Sequence, residues 1–378
     1  MRPLAGLVVA LSFPGAALAQ NSVYSVLGAG LPGRPIGVHA RALAGGIGAF
    51  DPASAVNPAA VAGFTRLSVG ANLTGSFRSY EAGESSADGL RQTRFPFAYV
   101  GSRVGRTPVS FAAGYATYLD RTFDITSSDT VMLRGAPVAV EDRLASDGSS
   151  ADIRGALGVR IGNRLQIGGA VHVISGSTRM EINRTFSDST FLTVRDSSQA
   201  TFTAVGFSAG AIVMVSPRLR IAASFRSDTD IEETIDSVPV ADVDLPVTVS
   251  GGVLVVPTAA LRWSATVSWR SWSDAGAALG RMGGSRAFDT WEVGSGIEFG
   301  GTDVGASGFP LRVGVRYAQL PFSPSDDQPE EWVVSAGTAI QFASNRALLE
   351  TTLERVFRDG GGASERVWQV SVGLRLVP

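Results

Sequence analysis

The sequence predicts an all-β protein, a transmembrane antiparallel β-barrel of about fourteen strands with an N-terminal luminal hatch. Three observations support this fold class. From Phe64 onward, apolar and polar residues alternate in run after run. The segments between these runs are alternately long and short. A compact Gly- and Ala-rich segment, residues 40–64, precedes the first run and does not alternate.

The composition narrows the class of protein. The chain has 378 residues, 17% of them charged, and a mean hydropathy of +0.17. Helical membrane spans exclude charge, whereas barrel strands mix apolar and polar residues. After the N-terminus, no segment reaches the roughly 18 apolar residues of a spanning helix. The formal net charge of -2 gives no support for a nucleic-acid partner.

The reactive residue types argue against enzymes and metal sites. The chain has no Cys and only two His, His39 and His172, far apart in sequence. This removes disulfides, Cys-based metal sites and thiol catalysis, and no Ser/His/Asp spacing singles out a nucleophile. We therefore predict no enzyme, no metal and no cofactor.

The chain divides into three predicted parts. Residues 1–19 resemble a secretory signal, with Arg2, an apolar core at residues 4–13 and the small-x-small site Ala17-Leu18-Ala19. Residues 20–63 form the hatch and residues 64–378 the barrel. The predicted location is the bacterial outer membrane, after cleavage of the signal.

The strand pattern is clearest in the first run after the hatch. Leu67, Val69 and Leu73 lie on one face, and Ser68 and Asn72 lie on the other. Successive side chains of a strand point to opposite faces, so this strand has one apolar and one polar side. In the second run, the same reasoning puts Phe95, Phe97 and Tyr99 on one face.

The connections and the aromatic residues favour a barrel over a secreted β-sandwich, which also alternates. Long polar links are predicted at residues 81–90, 124–150, 230–245, 273–287, 323–330 and 359–365. Short links lie between them, an arrangement typical of outer-membrane barrels. Trp269, Tyr317, Trp291, Trp332 and Trp368 cluster at the outer ends of strands, as an aromatic girdle requires. The link 124–150 contains apolar patches and is predicted either to extend its neighbouring strands as a hairpin or to form an apolar surface at the outer mouth.

The polar strand faces must meet the lumen, because the apolar faces meet lipid. They bring Arg and Glu residues together there, and we predict an Arg–Glu network that braces the wall. Its predicted members are Arg66, Arg154, Arg160, Arg262, Arg312, Arg316, Glu292, Glu298, Glu350 and Glu354. The alternative, paired carboxylates for acid–base catalysis, has less support. His172 is also luminal and is predicted to be a hydrogen-bonded wall residue.

The hatch segment has its own sequence signature. Gly45, Gly46 and Gly48 break regular structure, and Asn57-Pro58 signals a turn or helix start. About fourteen strands enclose more space than wall side chains fill, so this segment is the predicted occupant.

An ordered motif carries a resemblance to a known family. Its residues are Arg41, Gly45, Gly46, Gly48, Asp51, Asn57, Pro58 and Ala59. After a signal peptide and before about fourteen strands, this motif resembles the hatch of FadL-type outer-membrane transport proteins, a family with PorV-like relatives.

The resemblance implies a channel for passive uptake of hydrophobic small molecules, of the fatty-acid or hydrocarbon class, gated by the hatch. In that family a strand kink opens a lateral path to the membrane, and Gly114 is the candidate kink here. The implied partners are outer-membrane lipid, a hydrophobic ligand and the barrel-assembly machinery, with a monomeric state. The alternative is a PorV-like component of protein secretion or assembly. A third reading, an outer-membrane enzyme using Glu292 or Glu350, has less support.

Overall fold

The structure, a computed structural model, describes residues 22–83, 85–235, 238–283, 285–300, 309–343 and 346–377. The predicted signal, residues 1–19, lies outside them. Within these ranges, fourteen antiparallel strands form a closed barrel. The strands are β1 (Ser68–Ala82), β2 (Ser85–Arg103), β3 (Val109–Asp120), β4 (Ala136–Ile161), β5 (Leu165–Phe186), β6 (Val194–Ser216), β7 (Leu219–Asp228), β8 (Thr248–Thr258), β9 (Leu261–Arg270), β10 (Thr290–Phe299), β11 (Leu311–Gln319), β12 (Glu330–Phe342), β13 (Ala347–Gly360) and β14 (Ala363–Leu376).

The barrel closes between its last and first strands. β14 pairs with β1 from Leu376 opposite Val69 to Ala363 opposite Ala82. Closure leaves no open sheet edge in the lipid, where an unpaired backbone group would have no water to bond. The predicted barrel is therefore confirmed.

The two faces of the wall follow the predicted alternation on most strands. On β5, Val171 is 65% exposed on the outside, whereas its neighbour His172 is 1% exposed in the lumen. Trp291, Trp332 and Trp368 are also exposed, on the lipid-facing side. The outer face is thus an apolar belt, and polar and charged side chains are turned inward.

The second strand departs from the prediction. Phe95 is 71% exposed, but Phe97 and Tyr99 are buried in the lumen. The register between β1 and β2 shifts between Asn72 and Thr74, so Phe95 and Pro96 both lie opposite one residue of β1. A bulge of this kind reverses which residues point inward. The prediction that all three aromatics share a face was wrong for this reason.

Several predicted links are strand. β1 and β2 nearly meet across residues 83–84, and β13 and β14 are joined by Gly361 and Gly362, both with positive φ. The predicted extension of link 124–150 is confirmed, because Phe123–Leu133 pairs with residues 136–146 of β4 as a hairpin. The strands continue beyond the lipid, where both of their faces are polar, and the sequence therefore predicts links at these segments.

The remaining long connections lie at the same end of the barrel, which is the outer end in proteins of this architecture. The β7–β8 connection contains the paired strands Ile231–Ile235 and Val238–Val243. The β9–β10 connection contains the 3-10 helix Trp272–Ala275 and the α-helix Gly276–Gly283. A short pair, Arg286–Ala287 with Phe322–Ser323, joins two of these connections.

The N-terminal segment occupies the lumen, as predicted. It consists of the 3-10 helix Val23–Val26, the bridge Leu31–Pro32, the short α-helix Val38–Ala42 and the 3-10 helix Pro58–Gly63. It runs from the outer end, where the hydroxyl of Tyr24 donates to the carbonyl oxygens of Gly360 and Ala363, towards the inner end. Among the described residues, no helix has the length and hydropathy needed to cross a bilayer.

Glycines of the wall allow the hatch backbone to lie directly against the strands. A Cβ on Gly296 would lie 2.7 Å from the Cβ of Leu43, and one on Gly168 would lie 2.4 Å from the carbonyl oxygen of Pro58. Such contacts are shorter than van der Waals contact, so only glycine fits there. Gly158, Gly294 and Gly314 also face hatch backbone atoms in this way, and Gly210, Gly252, Gly337 and Gly373 face hatch side chains.

This packing gives a stability prediction. The change Gly296→Val places a branched side chain into the hatch backbone and should lower the free energy of unfolding by about 1–3 kcal/mol. The measurement is the urea midpoint of the folded barrel in detergent. Gly75→Val is the matched control, because a Cβ at Gly75 meets nothing within 4 Å. Equal midpoints for both variants would contradict the role assigned to the luminal glycines.

Candidate functional site: the hatch-filled lumen and the seam between two strands

The hatch motif residues have distinct roles in the structure. The Nη1 of Arg41 donates to Oε2 of Glu354 at 3.1 Å. Asp51 accepts from the backbone N–H of Ala53 at 3.1 Å and so closes a turn. Asn57 caps the 3-10 helix that begins at Pro58, with its Oδ1 accepting from the Ala59 N–H at 2.9 Å. A short polar side chain at this position satisfies a helix N–H that the backbone leaves unpaired.

The small residues of the motif lie where the chain turns tightly. Gly45 has a φ of 88°, and the backbone N–H of Gly46 donates to the carbonyl oxygen of Leu43. A Cβ on Gly46 would lie 2.7 Å from the carbonyl oxygen of Ser264, and one on Gly48 would be 3.0 Å from that of Gly45. The Gly-rich run therefore lets the hatch fold back on itself while touching the wall.

Wall hydroxyl groups satisfy the hatch carbonyl groups. Ser335 donates to Ala42 at 2.9 Å, and Thr266 donates to Gly46 at 2.8 Å. The remaining donors of this kind pair Thr352 with Val38, Ser224 with Val56 and Ser110 with Phe64. A buried carbonyl group without a partner costs free energy, so these bonds fix the position of the hatch.

The predicted charges form a network on one side of the lumen. Glu298 accepts from Arg312 at 2.9 Å and lies 2.9 Å from Nε2 of His39 in the hatch. Arg312 also donates to Glu350 at 3.1 Å. Glu354 holds two cations of the N-terminal segment, Arg34 at 2.6 Å and Arg41. Glu292 accepts from Arg316 at 2.6 Å, and Arg262 lies 3.6 Å from Glu298.

The network continues through residues that the sequence analysis missed. Arg316 also binds Glu331, which accepts from Arg358 at 2.6 Å, and Arg358 in turn binds Glu365. Glu365 also accepts from the hydroxyl of Ser22, the first described residue, at 2.9 Å. The inward alternation of β14 includes Glu365, but the sequence predicts a link at residues 359–365, so the pattern is not followed that far.

Three predicted luminal arginines lie outside this chain of ion pairs. Arg154 is buried and donates to the carbonyl oxygen of Ser54 in the hatch at 2.8 Å. Arg160 donates to the carbonyl oxygen of Ala62 at 3.1 Å. Arg66 is exposed just before β1 begins, so it stands apart from the luminal contacts.

The wall has a break between β2 and β3, which we call the seam. The ladder between these strands runs from Arg103 opposite Ser110 only as far as Phe97 opposite Ala116. Beyond that point, Leu31 and Pro32 of the N-terminal segment pair with Asp120 and Leu119 of β3. The N-terminal segment thus takes the place beside β3 that β2 would otherwise fill.

One ion pair spans the seam. The guanidinium of Arg94 on β2 binds the carboxylate of Asp120 on β3 through both nitrogens, with Nη2 2.9 Å from Oδ1. The predicted kink residue, Gly114, lies just below the seam and is paired on both sides, with Tyr99 and Arg154. The nearest register shift of β3 lies between Thr117 and Leu119.

Apolar side chains fill the outer end of the lumen beside the seam. This outer apolar cluster consists of Ala29, Leu119, Ile174, Ala200, Phe202, Ala204, Ile231, Val243, Leu245, Trp272, Ala275, Ala278, Leu279 and Phe322. A small cavity of about 20 Å³ lies within it, and Arg121 and Glu233, 3.1 Å apart, are at its edge. Leu119 belongs to both the cluster and the seam.

A larger cavity of about 100 Å³ lies deeper, between the N-terminal segment at Pro32–Ile36 and the wall. Its lining is mixed. Ile36, Val56 and Trp272 contribute apolar surface, and hydroxyl-bearing or charged wall residues contribute the rest: Ser208, Ser224, Arg226, Thr248, Ser250, Thr266, Ser268, Arg270 and Glu292. The lumen thus gains charged and hydroxyl groups below an apolar entrance. Within the described ranges, no group of three or more His, Cys, Asp or Glu is placed to hold a metal ion.

The fold is similar to that of several solved structures. One is the CymD monoaromatic hydrocarbon channel, with a TM-score of 0.60 at 12% identity over 92% of this chain and 98% of that one. Another is a Pseudomonas aeruginosa FadL homologue, with a TM-score of 0.62 at 13% identity over 91% of this chain and 99% of that one.

The Ralstonia pickettii toluene transporter TbuX has a TM-score of 0.56 at 12% identity, covering 95% of this chain and 99% of that one. No family model and no curated protein matches the sequence. The chain thus has the fold of FadL-type transport proteins, which confirms the resemblance at the level of the fold. The named neighbours are transport proteins rather than enzymes.

The network gives a second stability prediction. Glu354→Gln should lower the free energy of unfolding by about 3–5 kcal/mol, because it leaves the buried cations Arg34 and Arg41 without their carboxylate. Urea unfolding in detergent measures the change. Asp142→Asn is the control, since Asp142 pairs with Arg184 on the exposed outer hairpin, where an ion pair contributes little. A wild-type midpoint for Glu354→Gln would show that the buried pair does not hold the hatch.

Proposed function

We propose that the protein is an outer-membrane channel for the passive uptake of hydrophobic small molecules, of the fatty-acid or hydrocarbon class. The observation that carries this proposal is the seam, a break in the wall directly beside an apolar cluster. The solved proteins that share the fold include a monoaromatic hydrocarbon channel and a toluene transporter, which supports the same ligand class. Transport of this kind needs no catalytic group.

Entry is at the outer apolar cluster. Phe202, Ile231 and Leu279 line the cavity there. Burial of apolar surface contributes roughly 25 cal/mol per Å², so a hydrocarbon gains free energy by leaving water for this site. The cavity of about 20 Å³ is smaller than such a ligand, so binding displaces the surrounding side chains.

The exit is sideways through the seam rather than down the lumen. Below the cluster, the cavity is lined by Arg226, Arg270, Glu292 and hydroxyl groups, which an apolar molecule cannot satisfy. The hatch beneath is held by ion pairs and hydroxyl bonds and stays in place. At the seam, the bridge is short: Leu31 and Pro32 lie opposite Asp120 and Leu119, proline has no N–H to donate, and the Gly33 N–H donates to the carbonyl oxygen of Tyr118 at 2.7 Å.

The gate is accordingly the bridge ahead of the hatch, supported by the Arg94–Asp120 pair. A bend at Gly114 would widen the seam, because Gly114 lies just below the last paired residue, Ala116.

The apolar outer face and the fold support an outer-membrane location. We further propose a signal at residues 1–19, a monomeric state and insertion by the barrel-assembly machinery. The PorV-like secretion role stays a prediction, tested by co-purification with secretion components.

A thiol cross-link across the seam tests the route. The chain has no Cys, so the pair Arg94→Cys/Asp120→Cys introduces the only thiols. A short bifunctional methanethiosulfonate, which forms a disulfide with each thiol and replaces the reach of the Arg94 side chain, should join β2 to β3. It should reduce uptake of radiolabelled toluene or oleate by intact cells at least about tenfold, and a reductant should restore it. The tenfold fall corresponds to about 1.4 kcal/mol in the barrier.

Thr74→Cys/Ser371→Cys is the matched control, because these luminal hydroxyls are 3.0 Å apart on the paired strands β1 and β14. The same bridging treatment of this pair should leave uptake unchanged. Unchanged uptake with the seam cross-link formed would exclude the lateral route. Equal uptake by cells with and without the wild-type protein, for both probes, would exclude the channel function itself.

A further inference from the structure

Three side chains on neighbouring strands form a hydrogen-bonded line in the lumen. They are Asp152 on β4, His172 on β5 and Ser208 on β6. Nδ1 of His172 lies 2.9 Å from Oδ1 and 3.1 Å from Oδ2 of Asp152. Nε2 of the same ring lies 2.9 Å from the hydroxyl oxygen of Ser208. All three side chains are buried from bulk solvent.

The partners determine the direction of these bonds. A carboxylate only accepts, so Nδ1 carries the proton that is donated to Asp152. Nε2 of the neutral ring is then an acceptor, and the hydroxyl of Ser208 donates to it. A nucleophile bonded to a base, with the base oriented by a carboxylate, is the arrangement that activates a serine.

A cationic donor lies beside the serine. Ser208 and Arg226 are directly opposite each other on β6 and β7. Arg226 donates through Nη1 to Asp152 at 2.6 Å and through Nε to Asp228 at 2.8 Å. Its Nη2 is buried and meets no acceptor among the described residues. A donor held in this way can stabilise negative charge that develops near Ser208.

The serine and the arginine open on the same space. Ser208, Arg226 and Asp152 all line the cavity of about 100 Å³ under the N-terminal segment. One water takes about 30 Å³ in the liquid, so the cavity accommodates a group of only a few heavy atoms. The site therefore has room for a short acyl group.

We propose that this lumen has a second activity, hydrolysis of esters of short carboxylic acids, with Ser208 as nucleophile and His172 as general base. Ser208 Oγ attacks the carbonyl carbon as its proton passes to Nε2 of His172. The carbonyl oxygen becomes an oxyanion beside Arg226. The bond to the alkoxy oxygen then breaks, and the Nε2 proton leaves with the alcohol. Water repeats the sequence on the acyl-serine and releases the carboxylic acid.

Covalent labelling tests the proposal on the full-length barrel purified in detergent. Methanesulfonyl fluoride is small enough for the cavity, and intact-mass measurement followed by peptide mapping locates its adduct. We expect one adduct, on Ser208, and hydrolysis of p-nitrophenyl acetate that is lost in parallel. An unlabelled Ser208 in folded wild-type protein would overturn the proposal.

Matched variants separate chemistry from folding. Ser208→Ala and His172→Gln should each lower p-nitrophenyl acetate hydrolysis at least about 100-fold, the usual contribution of a positioned base. Ser371→Ala is the control, since Ser371 is an equally buried luminal serine that bonds to Thr74 at 3.0 Å and does not line this cavity. It should retain full activity. Heat-modifiable migration on SDS gels confirms that each variant is a folded barrel, and unchanged hydrolysis in folded Ser208→Ala would also overturn the proposal.

Asp152 is a positioning residue, and its variant has a distinct signature. In Asp152→Asn, the amide can donate to Nδ1, so the proton moves to Nε2, which can no longer accept from Ser208. Labelling should fall and its pH dependence should differ from that of the wild type, while toluene uptake stays unchanged. A purely structural role would leave the pH profile of any residual labelling unaltered. If Asp152→Asn instead lost toluene uptake but kept full labelling of Ser208, Asp152 would act in transport and its positioning role would be excluded.

Discussion

The structure depends on filling the lumen of a fourteen-stranded barrel. A wall of this circumference cannot meet its own side chains across the axis, and the lipid outside requires it to be closed. The hatch meets this constraint by lying with its backbone directly on wall glycines such as Gly296 and Gly314. The hatch carbonyl groups accept hydrogen bonds from wall hydroxyls. Many wall positions that face the hatch are therefore glycine, serine or threonine. The close contact with the hatch therefore explains the glycines and hydroxyl-bearing residues of the wall that face it.

The charged network adds register to this packing. Buried ion pairs rarely contribute much net stability, because desolvation offsets their attraction, but removal of one partner is costly. Arg34, His39 and Arg41 therefore have one low-energy position, against Glu354 and Glu298. A hatch fixed in this way is poorly suited to swing out during each transport event. The short bridge at Leu31 has far fewer bonds to the wall than the hatch has. The proposed movement is therefore a separation of this bridge from β3 at the seam.

The lumen combines two environments that favour different chemistry. Its outer end is apolar, around Phe202 and Trp272, and suits a hydrocarbon. Its middle is polar and partly enclosed by the N-terminal segment, and there a serine, a histidine and a carboxylate are in line. A polar pocket next to an apolar one is the environment that an ester with an apolar alcohol requires. The proposed transport and the proposed hydrolysis would therefore use different parts of the same lumen, and a defect in one need not affect the other.

Side-chain alternation is a local property of each strand, so the sequence alone predicts the barrel, most of its lipid-facing residues and luminal charges, and the segment that fills the lumen. It did not determine where alternation reverses. The bulge at Pro96 depends on the pairing with β1 and turned the aromatic residues that follow it into the lumen. The sequence pattern also fails to identify Glu365 as luminal, because Glu365 lies in a polar segment that the pattern predicts to be a link. Above all, the line from Asp152 through His172 to Ser208 exists only because three strands pair in one register. Residues distant in sequence become neighbours through that register, and only the tertiary structure fixes it.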